Sequence, residues 1–111
     1  MLKFPLALLL MVAPAMAEQA LNDYPTEARA EYVFACMAAN GQTQDVLRRC
    51  SCSMDAIASI LPYDRYVSAE TVLRMRQGAG ERAAMFRGSP ASTAMLADLR
   101  RAQAEAEMLC F

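Results

Sequence analysis

QDVLRRCSCSMDAIASIL, residues 44–61, carries two cysteines one residue apart within a pattern that has the period of an α-helix. Its apolar stripe consists of Val46, Leu47, Cys50, Met54, Ile57, Ile60 and Leu61. Residues i and i+2 of a helix lie about 200° apart around its axis. Cys50 therefore lies on the apolar stripe and Cys52 points away from it, so we expect the two sulfurs to bond to different neighbours.

The flanking sequence predicts further helices and no strand, because β-branched residues are few and Ala, Glu, Arg, Met and Leu are abundant. A first helix over residues 23–40, with Pro25 in its first turn, should stop at Asn40-Gly41. Thr43 is a cap for the second helix, and Pro62 ends it. The third predicted helix covers residues 63–77 and ends at Gly78 and Gly80. A short helix follows at residues 81–86, and the last helix covers residues 90–110, with Ser89-Pro90 as its start signal.

Each predicted helix has an apolar side that should face the others. The expected buried positions are Ala28, Tyr32 or Val33, Cys36 and Met37 in the first helix, Tyr63, Tyr66, Val67, Val72 and Met75 in the third, and Met95, Leu99, Ala102, Ala106 and Leu109 in the last. The predicted fold is all-α, a small antiparallel helical bundle of four to five helices stapled by two disulfides.

The first 17 residues predict a cleavable secretory signal peptide. MLKFPLALLLMVAPAMA has a positive charge at Lys3, an apolar run over residues 4–12 and the small-x-small pattern of a signal-peptidase site at residues 15–17. The run is too short for a membrane span, although an uncleaved anchor is the alternative. We expect residues 18–111 to form one helical domain with a periplasmic or secreted location and no membrane span.

Export to an oxidising compartment would make disulfides of the four cysteines. Cys36 and Cys50 lie at similar heights on antiparallel helices on either side of Asn40-Gly41. This favours Cys36–Cys50 with Cys52–Cys110. The pairs Cys36–Cys52 and Cys50–Cys110 need only a modest rotation of the second helix and remain open. A Cys50–Cys52 bond would close a small ring inside a helix, which disulfide geometry resists.

The composition gives little support to catalysis or to nucleic-acid binding. The sequence has no histidine, the commonest general base and metal ligand. Without Lys3, ten arginines face twelve acidic residues, a formal charge of −2 with no strongly basic stripe. We expect no enzyme activity, no cofactor and no metal site. The alternative is a soft-metal carrier that holds copper with Cys and Met sulfurs.

Arginines cluster with large apolar residues in the C-terminal half, a mixture that is enriched at protein interfaces. The candidate partner-binding residues are Arg74, Arg76, Arg82, Met85, Phe86 and Arg87. A plain solvated surface is the competing interpretation. Charge reversal at Arg82 and Arg87 should leave helicity and melting nearly unchanged, because solvated charges contribute little to folding. The partner would be another exported protein.

A resemblance covers nearly all of residues 18–111. The segments YVFACMAANGQ, CSCSMDAIASILPYDRY, AETVLRMRQ and RRAQAEAEMLCF resemble a group of small uncharacterised exported helical proteins of bacteria that share a C-x13-CxC…C pattern. We associate that group with clusters encoding periplasmic quinoprotein alcohol dehydrogenases. The resemblance implies an accessory or partner role and carries no assigned activity or site. The sequence thus predicts a non-catalytic accessory or binding protein, of which a small chaperone or inhibitor is one form.

Overall fold

The computed structural model describes residues 23–111, where the chain forms five α-helices and no β-strand. The predicted signal peptide at residues 1–17 lies outside the described residues. The all-α class with two disulfides is confirmed. The helices are α1 (Thr26–Asn40), α2 (Gln44–Ile60), α3 (Tyr63–Arg76), α4 (Glu81–Gly88) and α5 (Pro90–Cys110).

The helix ends follow the residues expected to set them. The Thr43 side chain accepts a hydrogen bond from the Val46 amide at 3.1 Å and caps α2. The Ser89 hydroxyl accepts one from the Ser92 amide at 3.4 Å, with Pro90 as the first residue of α5. Gly41 has φ +116°, a conformation that favours glycine, directly after α1. Pro25 precedes α1 instead of lying in its first turn.

The core lies between α2, α3 and α5. The α5 helix packs against both α2 and α3, while α1 packs against α2 and α4 against α3 and α5. The buried core residues are Tyr24, Met54, Ile57, Ala58, Leu61, Tyr66, Ala69, Leu96, Leu99, Ala102 and Ala106. Dispersion and the removal of apolar surface from water hold these three helices together.

Helix α1 lies outside this core and buries no residue completely. Its predicted apolar side is the half-buried side that faces α2. Two polar contacts join the helices: Arg29 pairs with Asp55 at 3.0 Å, and the hydroxyls of Tyr32 and Ser53 share a hydrogen bond of 3.1 Å. The attachment of α1 therefore depends more on specific bonds than that of the other long helices.

Both favoured disulfides are confirmed. Cys36 bonds to Cys50 and Cys52 bonds to Cys110, each with a Cα–Cα distance of 5.8 Å. Cys50 is fully buried and Cys52 is exposed, as their positions around α2 predict. The bonds close loops with sequence separations of 14 and 58 residues, which the chain-entropy model values at about 3 and about 4 kcal/mol. Two such bonds indicate an oxidising environment.

Several expected core positions are wrong. In α5, Met95 and Leu109 are 43% and 71% exposed, and Leu96 takes the core position beside Leu99. The Cys52–Cys110 bond directs Cys110 towards α2, where it is half-buried, and the neighbouring Leu109 is exposed.

Three other expected core residues, Ile60, Val67 and Met75, are also exposed. Ile60 is the last residue of α2, where the backbone becomes extended and Leu61 enters the core instead. The buried side of α3 runs through Tyr66, Ala69 and Val72. Val67 lies about 100° around the helix from Tyr66, on the side away from Ala69 and Val72.

Candidate functional site

The candidate partner-binding residues fall on α4 and on the end of α3 that precedes it. Gly80, with φ +96°, ends the connection between the two helices, a conformation in which a side chain would be strained. The eight-residue α4 packs against α3 and α5. The sequence signals around Gly78 and Gly80 therefore position a short helix at a corner of the bundle.

Arg87 joins α4 to the end of α3. Its Nη1 donates hydrogen bonds to the carbonyl oxygens of Arg76 at 3.0 Å and Gly78 at 3.3 Å. The last carbonyls of a helix lack partners within the helix, so an arginine is well suited to them. Arg87 thus has a structural contact that Arg82 lacks, which gives us reason to expect a larger stability cost when its charge is reversed.

Met85 and Phe86 border an open groove where α4 meets α5. Met85 is 72% exposed and Phe86 is half-buried. Together with Ser89 and Ser92 they line a space of about 180 Å³. Arg82 lies three and four residues before them, so its side chain is their neighbour on the helix surface. We define the α4 surface as this groove together with Arg82, Met85 and Phe86.

The six candidates do not form one cluster. Arg76 and Arg87 meet through the Arg87 hydrogen bond, whereas Arg74 lines a different groove, between α1 and α3. The side chains of Arg74 and Arg82 make no hydrogen bond or ion pair with any residue in the range 23–111. Arg82 is therefore the arginine of the α4 surface whose guanidinium is available to a partner.

Two residues that precede α1 hold a feature that the sequence reasoning missed. Tyr24 is 4% exposed and donates a hydrogen bond from its hydroxyl to the Leu61 carbonyl at 2.6 Å. The Asp23 carboxylate accepts one from the Tyr63 amide at 3.0 Å, at the start of α3. This segment therefore closes the corner between α2 and α3. No periodic pattern marks it, because it lies outside every helix.

Tyr24 belongs to a cluster of three tyrosines. Its ring lies 5.0 Å from that of Tyr63 and 5.2 Å from that of Tyr66, centroid to centroid. Burial, reinforced by the charge of Asp23, raises the pKa of Tyr24 well above its usual range. Burial, with the nearby Glu70 carboxylate, raises the pKa of Tyr66 to about 12. Both hydroxyls are thus held in the neutral form.

Tyr63 and Tyr66 also border the groove between α1 and α3. This groove encloses about 260 Å³. Its lining comprises Ala28, Glu31, Tyr63, Tyr66, Val67, Glu70, Thr71 and Arg74. It differs from the α4 surface in combining aromatic rings with two carboxylates.

The sulfur atoms of residues 23–111 belong to two disulfides and six methionines. All four cysteines are in disulfides, and residues 23–111 contain no group of three His, Cys, Asp or Glu side chains that could hold a metal ion. Methionines occur in α1 to α5, from buried Met54 to Met108 at 86% exposure. Within the same range, no helix has both the length and the apolar character that crossing a membrane requires.

Comparison with known protein families, with curated proteins and with solved structures gives no match to this chain. The likeness to small exported helical proteins of bacteria therefore stays a prediction from the sequence segments that carry it.

Proposed function

We propose that the chain is a non-catalytic exported accessory protein that binds another exported protein through the α4 surface. Export by the predicted signal peptide at residues 1–17 and a periplasmic or secreted location belong to this proposal. The two disulfides support it, because such bonds form and persist in oxidising compartments. The sequence resemblance points to the same kind of role.

The observation that carries the proposal is that Met85 is 72% exposed beside a groove. The neighbouring Arg82 makes no ion pair within residues 23–111. A single exposed apolar side chain needs no explanation. Met85 and Phe86, however, border a concave space, and Arg82 lies one turn away. Methionine, phenylalanine and arginine are enriched at interfaces.

The composition of the α4 surface defines the partner chemically. Arg82 would pair with a carboxylate, which its planar guanidinium can bind through two parallel hydrogen bonds. The groove beside Met85 and Phe86 would receive an apolar side chain of the partner. An acidic residue next to an exposed apolar one is therefore the expected counterpart.

The soft-metal carrier receives less support. Its thiolate ligands would have to come from cysteines that are all in disulfides. The remaining soft ligands are methionines distributed over the helices, and Met54 is fully buried in the core. Thiol titration of the purified protein discriminates the two functions, because a carrier that uses cysteine sulfur needs free thiols.

The test is affinity capture from periplasmic extract with the oxidised protein as bait. Arg82→Glu with Met85→Asp should greatly reduce capture of a partner that the unaltered protein retains. The matched control is Arg100→Glu with Met108→Asp, which makes the same chemical changes at exposed positions of α5. The control should retain the partner. Equal capture by both variants, or loss only in the control, would place the interface elsewhere.

A further inference from the structure

We infer that the groove between α1 and α3 is a binding site for a primary ammonium group on an aliphatic chain. This site is separate from the α4 surface and does not depend on the function proposed above. Its carboxylates come from Glu31 on α1 and Glu70 on α3, and its hydroxyl comes from Tyr66. An ammonium ion carries three N–H donors, which these oxygen acceptors match.

The first supporting observation is an excess of negative charge. Glu31 and Glu70 line the groove together with a single cation, Arg74. Neither glutamate side chain makes an ion pair or hydrogen bond with any residue in the range 23–111, and the Arg74 side chain makes none there either. Glu70 and Arg74 are four residues apart on α3, a spacing that permits a helix ion pair. Their carboxylate and guanidinium nevertheless remain apart, so both glutamates are available to a ligand.

The second observation is the hydroxyl of Tyr66. The side chain is 9% exposed, and its hydroxyl has no hydrogen-bond partner in residues 23–111. No fully buried side-chain nitrogen or oxygen in that range lacks a partner. The hydroxyl must therefore reach solvent, and Tyr66 is one of the residues that line the groove. Glu31 and Glu70 line the same groove, so their carboxylates share this space with Tyr66.

The other walls fit the remainder of such a ligand. Ala28 and Val67 supply apolar surface for an alkyl chain, and Val67 is exposed here because it faces the groove instead of the core. The Tyr63 ring lines the same space and can attract a cation through its face. A volume of about 260 Å³ suits a short alkylammonium or the side chain of a lysine.

Attraction of this kind predicts a defined response to charge. Removing either carboxylate should weaken binding of the cation. Removing the Arg74 guanidinium should strengthen binding, because it takes away the one cation at the groove. A groove that merely collects apolar groups would show neither effect.

The experiment is a titration of the oxidised full chain with n-butylammonium, followed by the NMR signals of the Tyr63 and Tyr66 rings and the Val67 methyls. A parallel titration with N-acetyl-lysine-N-methylamide distinguishes a free amine from a protein lysine. Tighter binding of the lysine compound assigns the groove to a partner's lysine, and tighter binding of the amine assigns it to a small metabolite. The neutral comparison compound is n-butanol.

We expect saturable shifts with an ammonium compound and none with butanol at the same concentrations. Glu31→Gln with Glu70→Gln should weaken binding at least tenfold, Tyr66→Phe should weaken it several-fold, and Arg74→Gln should tighten it. The control is Glu105→Gln, at an exposed position of α5 outside the groove, which should bind like the unaltered protein. Helicity measured by circular dichroism confirms that each variant is folded.

Three results would overturn the inference. They are equal shifts with butanol and butylammonium, unchanged affinity in the double glutamine variant, and an absence of shifts with both ammonium compounds.

Discussion

The hydroxyl of Tyr24 donates a hydrogen bond of 2.6 Å to the carbonyl of Leu61, 37 residues further along the chain. Tyr24 stands before α1, and Leu61 directly follows α2. Because both residues are 4% exposed, this bond ties the start of the described chain to the α2–α3 corner in a setting that excludes water. It supplements the disulfide that holds the other half of α1.

Replacing Tyr24 by phenylalanine should lower the free energy of unfolding by about 1–3 kcal/mol, since a buried carbonyl loses its partner. The measurement is the denaturant midpoint under oxidising conditions. The matched control is Tyr63→Phe, which removes a hydroxyl from the neighbouring ring that has no hydrogen bond within residues 23–111. Equal losses in the two variants would contradict the importance given to the Leu61 bond.

Stability should fall at alkaline pH because of two buried tyrosines. Their folded-state pKa values are raised, Tyr66 to about 12, above the unfolded value near 10. The neutral form is favoured in the folded state, so the stabilisation is complete below pH 10 and is lost as pH rises through the folded values. Each tyrosine contributes a slope of about 1.4 kcal/mol per pH unit within its window.

The pH effect can be isolated because few other groups titrate there. The sequence has no histidine and no lysine after Lys3, and the cysteines are in disulfides. Denaturation midpoints from pH 8 to 11 should be level at first and then fall above pH 10. Tyr24→Phe with Tyr66→Phe should remove most of that fall. An undiminished fall in the double variant would show that other groups cause it.

The two disulfides should protect different helices. Replacing Cys36 and Cys50 by alanine should speed amide hydrogen exchange mainly in α1, which buries no residue completely. Replacing Cys52 and Cys110 should speed exchange in the last turns of α5 and leave the Cys36–Cys50 bond oxidised. The loss of stability should be about 2–5 kcal/mol for each pair. Identical exchange patterns in the two variants would refute this division.

Arg87 should matter for stability and Arg82 should not. Arg87→Gln removes two hydrogen bonds to the end of α3 and should cost about 1 kcal/mol. Arg82→Gln should change the free energy of unfolding by less than about 0.5 kcal/mol, as exposed substitutions usually do. Thermal melts of both variants check this. Equal melting temperatures would mean that the Arg87 contacts contribute nothing measurable.

Helix geometry favoured the observed disulfide pairing but left open the exchanged one, in which Cys36 bonds to Cys52 and Cys50 to Cys110. Cys50 and Cys52 lie about 200° apart on α2, so the antiparallel arrangement of α1 and α2 favoured Cys36 as the partner of the buried one. The helix ends were predictable as well, since Thr43, Pro62 and Ser89 act through local chemistry.

The rotation of α5 was not predictable from apolar spacing alone. The apolar residues of α5 fit two stripes that both include Leu99. One stripe runs through Met95 and Leu109, and the other runs through Leu96 and Cys110, so two neighbouring rotations of the helix are compatible with the sequence. Packing against α2 and α3 and the Cys52–Cys110 bond select the second.

The sequence also could not show that Arg74 lies apart from the α4 surface, because this depends on how the helices pack. Neighbours in sequence near a turn can face different grooves, and only the packing of α1 on α2 creates the groove that Arg74 lines. The burial of Tyr24 likewise depends on long-range contacts that no local pattern records.

The central claim, that the α4 surface binds an exported partner, is tested most directly by photo-cross-linking from within it. One variant carries a benzophenone-bearing residue in place of Met85, and a comparison variant carries it in place of the more exposed Met108. Each oxidised protein is irradiated in periplasmic extract. The account predicts one discrete adduct from position 85. An excess of unaltered protein should abolish this adduct, whereas an excess of the Arg82→Glu, Met85→Asp variant should leave it in place. Absence of that adduct, the same adduct from position 108, or equal competition by the two proteins would contradict it.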